Sequence, residues 1–213
     1  MNDDVDMKDG AGLDAQGAAA IMQEAGDRAR RELRVVHPVI FISGGVAWLL
    51  GEGGIWFSVR GQHPYQGPAP EAAVIQGVLV GLAVAIAAAI IGRATSGVGG
   101  VSLVQRRVSI LAFAIGIAAT LVLEAAIDHA GASRSVVFGV YQASAPVLVA
   151  GVFYCANSAL RLSWPMLGLG LWLMAVASGG AFAGPVGDWA VNAVAGSLGY
   201  LAMAALLPIL NRR

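Results

Sequence analysis

Charged residues divide the chain into long apolar runs. Between Arg34 and Arg60 one run is interrupted only by Glu52, towards its end. From 72 to 92 no residue is charged, and a third run follows Arg107 and carries Glu124 and Asp128 near its far end. Three more runs fill 135–160, 162–187 and 189–211. A bilayer-spanning helix needs about 20 mostly apolar residues. The pattern therefore predicts six spans, over residues 35–58, 72–92, 108–128, 135–159, 163–184 and 189–210. Helix is the only open-chain form that satisfies its own backbone in lipid. A transmembrane barrel would need alternating segments of roughly 10 residues, and the run from 78 to 91 does not alternate. The expected fold is all-α, a polytopic integral membrane bundle of six transmembrane helices over residues 35–211.

Ahead of the first span the pattern changes. Residues 1–17 read as an acidic, mobile tail containing Asp3, Asp4, Asp6, Asp9 and Asp14. Residues 18–34 read as a short cytoplasmic amphipathic helix, because Ile21, Ala25, Ala29 and Leu33 recur at i, i+4. Glu24 with Arg28, and Asp27 with Arg31, add i, i+4 pairs in the favourable order. Gly26 weakens this helix, and Pro38 suits either a helix start or a kink. A secretory signal would open with positive charge, so the first span is expected to act as an uncleaved anchor.

Composition sharpens the class. The 213 residues are 57% hydrophobic and 12% charged, with a mean hydropathy of +0.72, whereas soluble domains carry about 25% charged residues. That excludes a water-soluble globule, and a disordered chain would be poor in apolar residues. The single cysteine, Cys155, excludes intrachain disulfides and multi-cysteine metal sites. The zero net charge hides an asymmetry. Eleven of the thirteen lysines and arginines fall on the side of the two termini, and only Arg60 and Arg134 fall on the other. Positive residues stay in the cytoplasm, so both termini are expected inside. The alanine-, valine-, glycine- and arginine-rich usage points to a bacterial cytoplasmic membrane.

Small residues let helices approach closely in lipid. Gly77, Gly81, Ala85 and Ala89 form a ridge at four-residue spacing, and Gly116 and Gly199 belong to similar pairs with Ala112 and Ala195. Packing within the bundle is their expected use, and a homo-oligomer interface is the alternative. The five tryptophans are expected to anchor mostly at the interfaces, with Trp172 deeper.

Acidic groups within spans are functional candidates by default. Glu52, Glu124 and Asp128, with Gln142 on the fourth span, form the candidate substrate-binding set, and Asp188 marks the start of the sixth span. Glu124 and Asp128 share one face at i, i+4. All of these carboxylates fall in the outer half on this topology. A cation site from Glu124, Asp128 and His129, a vestibule for a cationic solute, and simple solvation at the membrane edge are the competing readings. Among the polar groups within spans, Ser144, Asn157 and Asn192 also carry weight, and Pro146 is predicted to kink the fourth span.

Several chemistries lack their motifs. There is no H-E-x-x-H, no G-x-S-x-G, and the glycine-rich stretch at 97–102 lacks the G-K-[ST] ending of a phosphate loop. No catalytic residue, metal ligand set, cofactor or nucleic-acid partner is expected, and no internal repeat emerges. In size and span number the chain is similar to the substrate-binding components of bacterial vitamin importers, a likeness that no motif carries. The expected function is non-catalytic, an accessory or regulatory membrane protein acting through a partner at the N-terminal helix. The alternative is a small-solute transporter, or its substrate-binding subunit, with an outward-facing acidic cavity.

Overall fold

In the computed structural model, which describes residues 15–94, 101–131, 135–161 and 163–210, every regular element is helical and no strand occurs among the described residues. The acidic residues up to Asp14, most of the glycine-rich stretch at 97–102 and Arg134 lie outside them. The pairs Glu24–Arg28 and Asp27–Arg31 also involve side chains outside those described. Five stretches are long and apolar enough to cross a membrane: Pro38–Val59, Pro70–Arg93, Val108–His129, Val136–Ala159 and Trp164–Ile209.

The first helix, α1 (Ala15–Val59), runs for 45 residues with Pro38 inside it. At 1.5 Å per residue it extends roughly 68 Å. The juxtamembrane helix and the first span are thus one continuous rod. It is followed by α2 (Pro70–Ala94), α3 (Val101–His129) and α4 (Val136–Arg161), the last with Pro146 inside. The 60–69 connection is held by Gln62, whose side-chain amide donates to Gly67 O at 2.9 Å and whose Oε1 accepts from the Gln66 N–H at 2.8 Å. Tyr65 points inward from this loop and is buried.

The final stretch, at 46 residues, is far longer than one crossing requires. Helix α5 (Trp164–Gly180) passes through a 3₁₀ turn at Ala181–Ala183 and then reverses at Gly184, whose φ of 73° is open to glycine. The returning rod is α6 (Gly184–Val191), a π-helical turn at Asn192–Gly196, and α7 (Ser197–Leu210), continuous with one another. It lies back along α5: the Trp172 indole N–H donates to Ala195 O at 2.8 Å, and Gly199 faces Trp172 and Leu169.

Two apolar clusters fill the centre. One gathers Phe41, Val147, Ala150, Leu169, Leu173, Tyr200 and Met203 from α1, α4, α5 and α7. The second gathers Ile55, Val59, Tyr65, Ala143 and Trp189 beneath the 60–69 loop. Trp189 is therefore a core residue rather than an interfacial anchor, and its indole N–H reaches the Tyr65 hydroxyl at 3.4 Å. Trp164 and Trp172 are exposed, whereas Trp48 and Trp56 are half-buried. Helices α4 and α5 approach closely, and a Cβ on Gly170 would stand 2.7 Å from Cys155 N and 2.8 Å from Gly151 O. Helices α2 and α3 lie at the margins, α2 against α1 and α3 against α4.

Candidate functional site

Between the two apolar clusters lies a layer of polar side chains. Its members come from four helices and meet only in the fold. On α1, Trp48 and Glu52 are one turn apart and share a face. Antiparallel to them runs the α6–α7 rod, with Gly45 against Tyr200 and Leu201, and Trp48 against Gly196. Stepping one turn along both helices brings Glu52 opposite Asn192, with Asp188 a turn beyond. Helix α4 contributes Ser144, and α2 contributes Gln76.

Asp188 is fully buried, at 0% exposure, and each of its oxygens has a hydrogen-bond partner. Ser144 Oγ lies 2.6 Å from Oδ2 and Asn192 Nδ2 lies 3.0 Å from Oδ1. Ser144 Oγ is also 3.0 Å from Ala177 O, and Asn192 Nδ2 also donates to Ala143 O at 3.0 Å. Gly180 makes room for this arrangement, since a Cβ there would collide with Asp188 Oδ1. The carboxylate thus ties α4, α5 and α6 together.

Glu52 is held differently. It is 2% exposed, and Gln76 Nε2 donates to its Oε1 at 2.6 Å. Its Oε2 has no partner, nor do Trp48 Nε1 and Asn192 Oδ1, all three being buried. Asp188 is the charged group that acts on Glu52. Among the described residues, neither carboxylate pairs with a basic side chain; the nearest arginine along α1, Arg60, stacks on Phe57 with its guanidinium carbon 4.3 Å from the ring centre. Among the described residues, these two buried acids share one layer without a basic partner.

The sequence-derived candidates separate into two places. Glu52 belongs to this layer. Glu124 is half-buried on α3, near Gln142 and Tyr141 of α4, and the Tyr141 hydroxyl donates to Thr120 O at 3.3 Å. Asp128 and His129 are exposed at the end of α3, so Glu124, Asp128 and His129 do not converge. No group of three His, Cys, Asp or Glu side chains suited to a metal occurs among the described residues. Asp188, placed at a span edge by sequence, is instead an interior residue. Gln76 and Trp48 escaped the sequence reading as polar partners. Gln76 is the lone side-chain amide in an otherwise apolar run, and that was its only signal.

The small-residue ridge also divides. Gly199 lies against Trp172, and Gly116 lies against Val149, with a Cβ there 3.1 Å from Val149 Cγ1. Gly77, Gly81 and Ala85 face outward, and nothing lies within 4 Å of a Cβ built on either glycine. A cleft of about 1090 Å³ opens between α5 and α7, lined by residues such as Trp164, Leu169, Trp172 and Met203. It is apolar and does not include Glu52 or Asp188.

The sequence matches no family model, and it matches no curated protein and no solved structure.

Proposed function

We propose that this chain is a six-span protein of a bacterial cytoplasmic membrane, with both termini inside, that carries a small cation through the Glu52–Asp188 layer. The reversal at Gly184 supports counting the last stretch as two crossings. The eleven-to-two distribution of basic residues supports the orientation. One observation carries the function: two buried carboxylates share one layer with no basic partner among the described residues, and one of them has a free oxygen. Intramembrane acids are expensive, and where they persist they mark ion and solute pathways. This favours the transporter alternative over the accessory role, and moves its site from an outer acidic cavity into the bundle.

The test is uptake of radiolabelled sodium, rubidium and methylammonium into proteoliposomes at fixed pH. The expected result is uptake of at least one probe, abolished by Glu52→Gln and Asp188→Asn and retained by Asp128→Asn. Wild-type protein that takes up none of the three would sink the carrier reading.

An accessory role keeps one observation of its own. Helix α1 continues for more than 20 residues before the span that starts at Pro38, and Ile21 and Met22 on it are 60% and 76% exposed. A protein partner docking there predicts that removing residues 1–31 releases one specific co-purifying protein while the bundle stays monodisperse. Unchanged co-purification on that removal would count against it.

A further inference from the structure

Of the three unpartnered atoms in the buried layer, two are acceptors, Glu52 Oε2 and Asn192 Oδ1, and one is a donor, Trp48 Nε1. Asn192 is 0% exposed and its amide orientation is fixed, because Ala143 O can only accept and so must face Nδ2. Asp188 Oδ1 on the same nitrogen agrees with this. Asn192 Oδ1 must then point the other way, where it finds no donor. The α1 register puts Glu52 opposite it, with Oε1 occupied by Gln76 Nε2 and Oε2 vacant. Two acceptors left without donors in one apolar layer are costly unless something positive lies between them.

We propose that Glu52 is a proton-binding site in which the acid hydrogen sits on Oε2 and is donated to Asn192 Oδ1. A single proton resolves both orphaned acceptors at once. The neutral carboxylic acid keeps Oε1 as the acceptor for Gln76. Asp188 already has a hydrogen-bond partner on each oxygen and needs no added proton to satisfy it.

The groups around Glu52 set the charge the proton experiences. Helix α2 presents the neutral Gln76, with Glu71 exposed towards its start. Helix α4 presents Ser144, and α6 presents Asp188 as the charged neighbour. On α7, Tyr200 packs its ring against Trp48 and edge-on against Tyr154. Tyr65, above the layer, is engaged with Trp189. Proton release from Glu52 would create two adjacent anions, and a carried cation would then offset that repulsion. Binding of proton and cation is therefore mutually exclusive. This coupling rests on the carrier reading; the proton site does not.

Infrared difference spectroscopy of the full chain in nanodiscs separates the two. The wild type is expected to show a protonated-carboxyl C=O band near neutral pH that shifts in D₂O. Glu52→Gln should delete one component of that band, Asp188→Asn should keep it, and Asn192→Ala should move it to higher frequency as its hydrogen bond is lost. Asn192→Ala reads the same bond on the native acid, so the test survives a misfolded Glu52→Gln. An unchanged band in Glu52→Gln, its loss in Asp188→Asn instead, or an unmoved band in Asn192→Ala would overturn the site. The expected pattern without cation uptake would uphold the proton site and remove the carrier, whereas uptake with an unchanged Glu52→Gln band would do the reverse.

Discussion

The centre and the margins of this bundle are built on opposite principles. In α1, α4 and the α5–α7 hairpin, 33% of each apolar stretch is buried, against 6% in α3 and none in α2. Yet α2 and α3 are the two most apolar stretches in the chain. In water that ordering would be inverted. In lipid, apolar surface gains little by turning inward, so helices associate through close packing and polar contacts. The central helices hold Glu52, Asp188, Asn192 and Ser144 and the Gly151–Gly170 approach, and the marginal ones present valine, leucine and isoleucine outward. Each marginal helix has a polar link inward, from α2 through Gln76 to Glu52 and from α3 through Thr120 O, which accepts from Tyr141 of α4.

Substitutions can break this contrast. The largest effect is expected at the central helix crossing. Gly170→Val drives a side chain into the backbone of α4 and should destabilise the protein by about 3 kcal/mol or more, read as a fall in the thermal midpoint in detergent. Gly81→Ala on α2 meets open space and should change stability by less than about 1 kcal/mol, with helix propensity on its side. A large loss from Gly81→Ala would mean that α2 is covered by a second copy of the chain, which cross-linking in membranes would reveal.

Next come the carboxylates. Asp188→Ala leaves one amide hydrogen of Asn192 without an acceptor and removes the link from α6 to Ser144, and should cost about 1–3 kcal/mol, whereas Asp128→Ala at the exposed end of α3 should stay within about 0.5 kcal/mol. Equal midpoints for the two variants would refute the central role of Asp188. Smaller again is Gln76→Leu, which removes the one donor to Glu52 and should cost about 1 kcal/mol, while Gln66→Leu on the exposed loop should be close to neutral.

The smallest effect concerns pH. Burial pushes the Tyr65 phenol above its ordinary value of 10.0; the nearby Asp188 charge adds to this and the Trp189 hydrogen bond opposes it. The folded state therefore favours the neutral phenol. The resulting stability is full below the ordinary value and declines as pH rises past it towards the folded value. The thermal midpoint should fall above pH ~10, and Tyr65→Phe should flatten that part of the curve. An identical alkaline decline in both proteins would remove Tyr65 as its cause.

Helix positions were legible because charges mark where apolar runs end. The pattern placed the second span at 72–92, and the helix covers Pro70–Ala94. Depth was harder to read. Asp188 lies four residues past the reversal at Gly184, which suggests an exposed edge, but the 60–69 loop folds over it through the Tyr65–Trp189 contact. No local pattern reports that a loop 120 residues earlier will close the same end. Gln76 posed a similar difficulty, because one amide in an apolar helix does not name its partner. Glu52 was identified because an acid interrupting a span is costly wherever it points.

The π-helical turn at Asn192–Gly196 has a consequence for the phase of the last helix. Buried residues there recur at Asp188, Asn192, Gly196 and Tyr200, a repeat of four. A regular helix advances about 100° per residue, so each step of four drifts by ~40°. Three such steps would carry Tyr200 a third of the way round the axis from Asp188. The wide turn absorbs that drift, much as a leap day keeps a calendar aligned with its year. Deleting Val194 would restore an ordinary helix and rotate everything after it. Tyr200, Met203 and Ala204 would leave the core together, while the acid layer before the deletion kept its place.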